Sequence, residues 1–249
     1  MIQEPFAIGN SWIHHIDPRV KIIFAAIYSL VIALSNRFNV LLTALTVSII
    51  LVLISRLNLR EVTRRLSAIC LFLMLIWVIL PFTYEGEAIY HSRLFAITLP
   101  GVVLSAQITL KTIAIVLCFM SLIATMTVST LGNALNSLRL SNKLVLIFLM
   151  TYRYIFVIEE EYRRLRTAIK IRGFRSGTNI HSYKTFAYLV GMLFVRASIR
   201  AERVHQAMKC RGFKNKFYTL NSFTSAGPNR LFSVLLTTVI LALIIMEYL

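Results

Sequence analysis

Acid is scarce in this sequence. One aspartate, Asp17, and nine glutamates serve 249 residues, and paired carboxylates for metal or acid–base chemistry do not arise. The glutamates rarely meet a histidine. Cysteine is scarcer still: Cys70, Cys118 and Cys210 have no CxxC spacing, so neither a disulfide framework nor a cysteine zinc site is indicated. No glycine-rich phosphate loop and no GxSxG elbow occur, which leaves the chain nothing with which to hydrolyse ATP or acylate a serine. His14, His15 and Asp17 stand close together, but neighbours on a leading segment seldom converge on one ion. A helix-capping role already accounts for Asp17. The expectation is a non-catalytic chain that binds no metal or cofactor itself.

What is abundant is apolar sequence. The chain is 57% hydrophobic, 15% charged and has a mean hydropathy of +0.73, values that make the bilayer its solvent. A net charge of +17 in a soluble protein would suggest nucleic acid. Here the Lys and Arg that cytoplasmic loops of membrane proteins collect suffice, so no nucleic-acid partner is expected. The first residues lack a cationic front. Arg19 and Lys21 precede an apolar run that a second follows almost at once, which fits a membrane hairpin better than a cleaved leader.

Asp17 followed by Pro18 predicts a helix start, a carboxylate cap before a proline at the first helical position. Spans are expected over residues 22–35, with Arg19–Lys21 as anchor, 38–55, 66–82, 104–126 and 231–246. Residues 56–65 (RLNLREVTRR) read as a basic linker, and residues 83–100 as a loop holding Glu85, Glu87, His91 and Arg93. Lys111 reads as a side chain that snorkels to the interface, the alternative being an intramembrane functional group. Cys70 and Cys118 read as packing residues. Arg19, Lys21, Arg56, Arg60, Arg64 and Arg65 fall on one side, Arg37 and Arg93 on the other. The richer side is cytoplasmic, which places the N-terminus inside and Leu249 outside.

From residue 128 to 229 the chain changes character and carries 17 of its 27 Lys and Arg. Residues 137–142 are broken by polar groups, and Lys143 opens a long helix that is apolar on all sides over residues 144–150. Beyond it Ile155, Ile158, Tyr162, Leu165 and Ile169 form a one-sided helical stripe. Gly173 ends that helix, residues 175–182 are loop-like, and a second helix covers residues 183–211. With so few acids, two such helices are expected at the membrane surface, crossing or packing on each other. Residues 214–228 are polar, with a turn signal at Gly227-Pro228.

Part of this region is written twice. Residues 161–174 read EYRRLRTAIKIRGF and residues 200–213 read RAERVHQAMKCRGF, an offset of 39. The shift lays Arg164 on Arg203, Ala168 on Ala207 and Lys170 on Lys209. It lays Arg172, Gly173 and Phe174 on Arg211, Gly212 and Phe213. Glycine tolerates the left-handed conformation that closes a helix, and a cation suits the negative end of the helix dipole. Each copy is therefore a helix with an arginine at its tip. An electrostatic anchor on anionic lipid explains the charge but not the repeated tripeptide. The three glutamates Glu159–Glu161 read as ion-pair partners of the arginines around them.

These residues resemble a known family, the transmembrane coupling subunits (T components) of energy-coupling factor importers. His14-His15-Ile16-Asp17-Pro18-Arg19-Val20-Lys21 is similar to that family's HxxDPRxK start, which makes His14, Asp17, Pro18, Arg19 and Lys21 a structural opening motif. The tips Ile171-Arg172-Gly173 and Cys210-Arg211-Gly212 resemble its paired Ala-Arg-Gly coupling motifs, with Ile171 and Cys210 where alanine is usual. Residues 152–157 and 191–204 look most like the cobalt-type branch, CbiQ.

The resemblance implies an all-α integral membrane protein with about five transmembrane helices plus long amphipathic cytoplasmic coupling helices. Residues 1–127 would be a four-span membrane domain, 128–229 the coupling region and 230–249 the last transmembrane helix. The implied partners are two ATP-binding-cassette ATPase subunits, which use the ATP, and a substrate-binding membrane subunit of metal type. Cobalt or nickel would bind in that subunit, not here. A coupling subunit shared among vitamin-specific partners stays open, as, further off, does a membrane-embedded lipid enzyme. A channel or carrier is disfavoured, because no inverted repeat or midplane charge pair appears.

Overall fold

Helix formation begins at Asp17, whose carboxylate accepts the Arg19 N–H at 3.0 Å while Pro18 takes the first helical position. The computed structural model of the chain describes Phe6, Gly9 and residues 11–84, 88–91, 96–138, 140–214 and 227–248. The helices are α1 Pro18–Leu34, α2 Phe38–Ile54, α3 Leu59–Thr83, α4 Leu99–Leu122, α5 Val128–Ser137, α6 Asn142–Ile171, α7 Ile180–Cys210 and α8 Gly227–Tyr248. The chain is an all-α membrane protein. Among the described residues α3, α4 and the Asn229–Tyr248 stretch of α8 are long and apolar enough to cross a bilayer, and α2 is apolar but shorter at 17 residues.

Three segments and one cysteine differ from what was read in the sequence. Most of the supposed linker 56–65 belongs to α3, because Val62 gives its first turns a buried face. Residues 83–100 hold a short antiparallel hairpin, β1 Ala88–His91 with β2 Ala96–Thr98, in place of a plain loop. Gly227-Pro228 opens α8 and is no turn, since proline is tolerated where the first helical N–H groups have no partner. Cys118 is buried in α4, but Cys70 lies on the exposed side of α3. Glu85 and Glu87 of that loop, together with Arg93 and Leu249, which entered the orientation, lie outside the described residues.

The chain forms two compact units, residues 2–131 with 222–249, and residues 132–221. In the first unit α4 packs against α1, α2 and α3, and α8 packs against α1 and α2. Small residues make the close approach possible: Ala25, Ala44 and Ala114 are fully buried. Polar groups then tie the helices together. Tyr28 donates its hydroxyl to the Ala44 carbonyl at 2.6 Å and lies 2.8 Å from Ser48 Oγ, which donates to the Ala114 carbonyl at 2.9 Å.

A second knot forms where α1 turns into α2. The Glu247 carboxylate accepts from the Ser35 hydroxyl at 2.5 Å and from the Asn36 N–H at 3.0 Å. From α4, Gln107 donates to the Asn36 carbonyl at 2.7 Å. Lys111 Nζ donates to the Ala33 carbonyl at 3.0 Å and to Asn36 Oδ1 at 3.1 Å. Lys111 therefore does not simply snorkel to an interface; it satisfies a carbonyl at the end of α1, where four have no intrahelical partner. Lys21 departs from its expected role too. At 1% exposure it is a buried residue and not an interfacial anchor, with Asp17 one turn earlier as its counter-charge.

Candidate functional site

The second unit is dominated by α6 and α7, which pack on each other and bury little of themselves: only Val145 of α6, with Ser182 and Leu189 of α7. Both helices end in the same hydrogen-bond pattern. After α6, Gly173 N donates to Lys170 O at 3.1 Å and Phe174 N to Ile169 O at 3.2 Å. After α7, Gly212 N donates to Lys209 O at 2.9 Å and Phe213 N to Met208 O at 3.1 Å. These are two Schellman closures, with glycine in the left-handed region at φ 80° and 76°. No other atom lies within 4 Å of where a Cβ would stand on either glycine, so backbone conformation alone calls for glycine there.

The closure leaves the preceding residues projecting. Ile171 is 81% exposed, and Arg172, Cys210 and Arg211 are exposed as well. Neither tip guanidinium has an ion-pair partner among the described residues. A planar five-donor fork held at a helix end is suited to a carboxylate from outside, bound through two parallel N–H···O bonds.

Each tip is pinned by the residue after its glycine. Phe174 turns back onto the first turns of α7, meeting the His181 ring at 6.2 Å and the Phe186 ring edge-on at 5.7 Å. Gly177 N donates to Ser182 Oγ at 3.1 Å and closes the same loop. Phe213 enters an open apolar groove of about 480 Å³ with Leu146, Met150 and Tyr154 of α6. Phe174 thus packs on the early turns of α7, and Phe213 shares a groove with the early turns of α6. Both were visible in the repeat. The clue to their role was an aromatic side chain just past an otherwise charged helix end.

Between the tips and the helix starts lies the crossing. Glu159 and Glu160 pair along α6 with Arg163 and Arg164, each at 2.5 Å and well exposed. Glu161 instead reaches α7, where it bonds Arg196 and has Arg200 at 3.9 Å. The Arg196 hydrogen bond holds the Glu161 carboxyl below the usual glutamate range.

The opening motif belongs to the first unit. His14 Nε2 donates to the Phe6 carbonyl at 2.9 Å, which leaves Nδ1 to accept from the Ser11 hydroxyl at 2.6 Å. The Arg65 guanidinium lies over the Phe6 ring, 4.3 Å from its centre. Asp17 N donates to Asn229 Oδ1 at 3.1 Å and so joins the start of α1 to that of α8. His14, Asp17, Pro18, Arg19 and Lys21 thus sit at a helix junction, whereas Arg172 and Arg211 project from free helix ends.

Comparison with known proteins converges. The model of the CbiQ family, described as cobalt transport protein, matches residues 9–219. The energy-coupling factor transporter transmembrane protein EcfT of Leuconostoc gelidum is 29% identical over 84% of this chain and 82% of its own length. The protein of the same name from Bacillus subtilis is 28% identical over 86% of this chain and 85% of its own. An uncharacterised protein of Methanocaldococcus jannaschii is 27% identical over the full chain and 93% of its own length.

Proposed function

This chain belongs to the CbiQ cobalt transport family, alongside EcfT-type transmembrane components, and we propose that it is the coupling subunit of an ATP-driven importer. The observation that carries the reading is the repeated tip, two helices closed by the same Schellman turn with an exposed arginine at each end. In this role Arg172 and Arg211 each enter an acidic groove on one of two ATP-binding-cassette subunits. ATP is bound and split there, and this chain carries the resulting motion. The exposed apolar residues of α6 and α7, Ile155, Phe186 and Phe194 among them, supply a face for a substrate-binding membrane subunit.

The transported species is cobalt, or nickel, held by that second membrane subunit; the family description favours this branch. Shared use with vitamin-binding subunits is favoured by a different observation, since the relatives carry a general transporter name without a metal. The chain is multi-pass, with five spans and a cytoplasmic N-terminus, because Arg56, Arg60, Arg64 and Arg65 accumulate around the turn between α2 and α3.

Purification in a gentle detergent from cell membranes tests the reading. Two ATPase subunits and one metal-type membrane subunit are expected to travel with the chain, and cobalt accumulation is expected to need all of them. Dependence of biotin, thiamin or riboflavin uptake on the chain, without dependence of cobalt or nickel uptake, would overturn the metal branch. Orientation is read from single cysteines: position 177 is expected to label only in opened cells, and labelling there in intact cells would reverse the topology.

A further inference from the structure

The crossing of α6 and α7 is built on the repeat itself. Val157, Ile158 and Glu161 of α6 line one small recess with Arg196, Ala197 and Arg200 of α7. These are three pairs related by the same offset of 39 residues. Each tip arginine stands 11 positions beyond its crossing residue, Glu161 or Arg200. At 1.5 Å per residue the two arms have the same length, about 16 Å. Two equal arms that meet at equivalent points form a pair of levers, and the fulcrum decides how far apart their ends stand.

The fulcrum is charged and uneven. One carboxylate faces two guanidiniums, and the carboxylate is the enclosed member: the Glu161 side chain is 15% exposed, those of Arg196 and Arg200 48% and 49%. The arginines can turn to water. Glu161 is screened from it, so a helix movement that separates Glu161 from Arg196 must offer another cation. Arg200 is that cation, one turn further along the same face of α7 and already 3.9 Å from the second carboxylate oxygen. Nearby acids do not compete, because Glu159 and Glu160 pair within α6 and Glu202 faces Gln206 within α7.

We propose that Glu161 is the positioning residue of this crossing, holding α7 against α6 through Arg196 with Arg200 beside its second carboxylate oxygen, and thereby setting the separation of the Arg172 and Arg211 tips. The value of that hold for transport rests on the coupling role proposed above. The hold itself does not depend on it.

Cys210 lies at one tip, and Ile171 holds the matching position at the other. Ile171→Cys with Cys70→Ser leaves two exposed thiols for spin labels, Cys118 being buried. Tip-to-tip distances are then read by pulsed electron resonance on the full chain in lipid nanodiscs. Arg200→Gln, which removes the longer contact, is expected to leave the distribution narrow. Arg196→Gln is expected to leave Glu161 only that longer contact and to broaden the distribution. Glu161→Gln is expected to broaden the distribution, and Glu161→Arg with Arg196→Glu to narrow it again. Superimposable distributions for Arg196→Gln and Arg200→Gln would overturn the proposal, as would a charge exchange that stays as broad as Glu161→Gln. The distances need no partner, so a wild-type chain that captured no ATPase would overturn the coupling role and not the crossing.

Discussion

The two units use their polar groups in opposite ways. In the first, Tyr28, Ser48, Gln107, Lys111 and Glu247 all find partners on other helices of the same unit or on the turn between α1 and α2, around a buried core of Ala44, Ala114 and Phe232. In the second, both tip arginines project without an ion pair among the described residues. One unit closes its polar groups on itself and the other points its tip cations outward. Stability is therefore expected to depend on the first, and assembly on the second.

Removing the tips is the strongest way to test that division. Truncating one member of a buried charge pair costs about 2–5 kcal/mol, roughly 30-fold to several thousand-fold in affinity. Arg172→Ala or Arg211→Ala alone is expected to weaken ATPase capture by that factor, and the double variant to abolish it, with the thermal midpoint unchanged. One intact tip still holds the complex at high protein concentration, through the effective concentration of a tethered contact. Arg→Lys is expected to restore capture only in part, since lysine lacks the planar fork. Wild-type capture by the double variant would reduce both tips to helix caps.

Tyr28→Phe sharpens the comparison from the other side. It deletes a buried hydroxyl bonded to Ala44 and close to Ser48, at a cost of about 1–2 kcal/mol. A fall of a few degrees in the thermal midpoint is expected, with ATPase capture unaltered; weaker capture at full stability would erase the division. Gly173→Ala and Gly212→Ala act at the tips without touching a neighbour. The left-handed backbone costs a β-carbon about 1–2 kcal/mol, so each variant is expected to weaken capture by roughly 5- to 30-fold and to an equal degree. Unequal losses would show that the two copies are not equivalent.

The smallest effects belong to the exposed charges. Arg163→Ala removes an exposed pair with Glu159, about 0.3–0.5 kcal/mol, and neither stability nor capture is expected to change measurably. Acid acts on Glu161 with a definite sign. Its carboxyl is held below the ordinary glutamate range, so the pairing with α7 is complete above that range and is lost only as pH falls through the lowered value. Tip-to-tip distances are expected to match at pH 8 and pH 6. A change inside that interval would assign the fulcrum to another group.

Much of this was legible in the sequence, because local signals were strong. Asp17-Pro18 and the two Arg-Gly steps are caps, and a cap is written within a few residues of where it acts. The course of Lys111 was not legible, since its partners Ala33 and Asn36 lie 78 and 75 residues away. Nor was the choice among Glu159, Glu160 and Glu161. Successive helical residues point about 100° apart, so only one of three neighbours faces α7, and the docking of α7 decides which. Lys21 misled for a related reason: a lysine at the start of an apolar run has the composition of an anchor, and burial comes from helices placed later in the chain.

The knot at Ser35 and Asn36 also has a timetable. Its acceptor, Glu247, lies 211 residues after Asn36. At roughly 5–20 residues per second, about ten to forty seconds of synthesis separate the two. Through that interval the first hairpin of the nascent chain waits with its turn unfinished, until Glu247 arrives to close it. Synthesis halted before Glu247 would therefore leave undone a joint begun two hundred residues earlier.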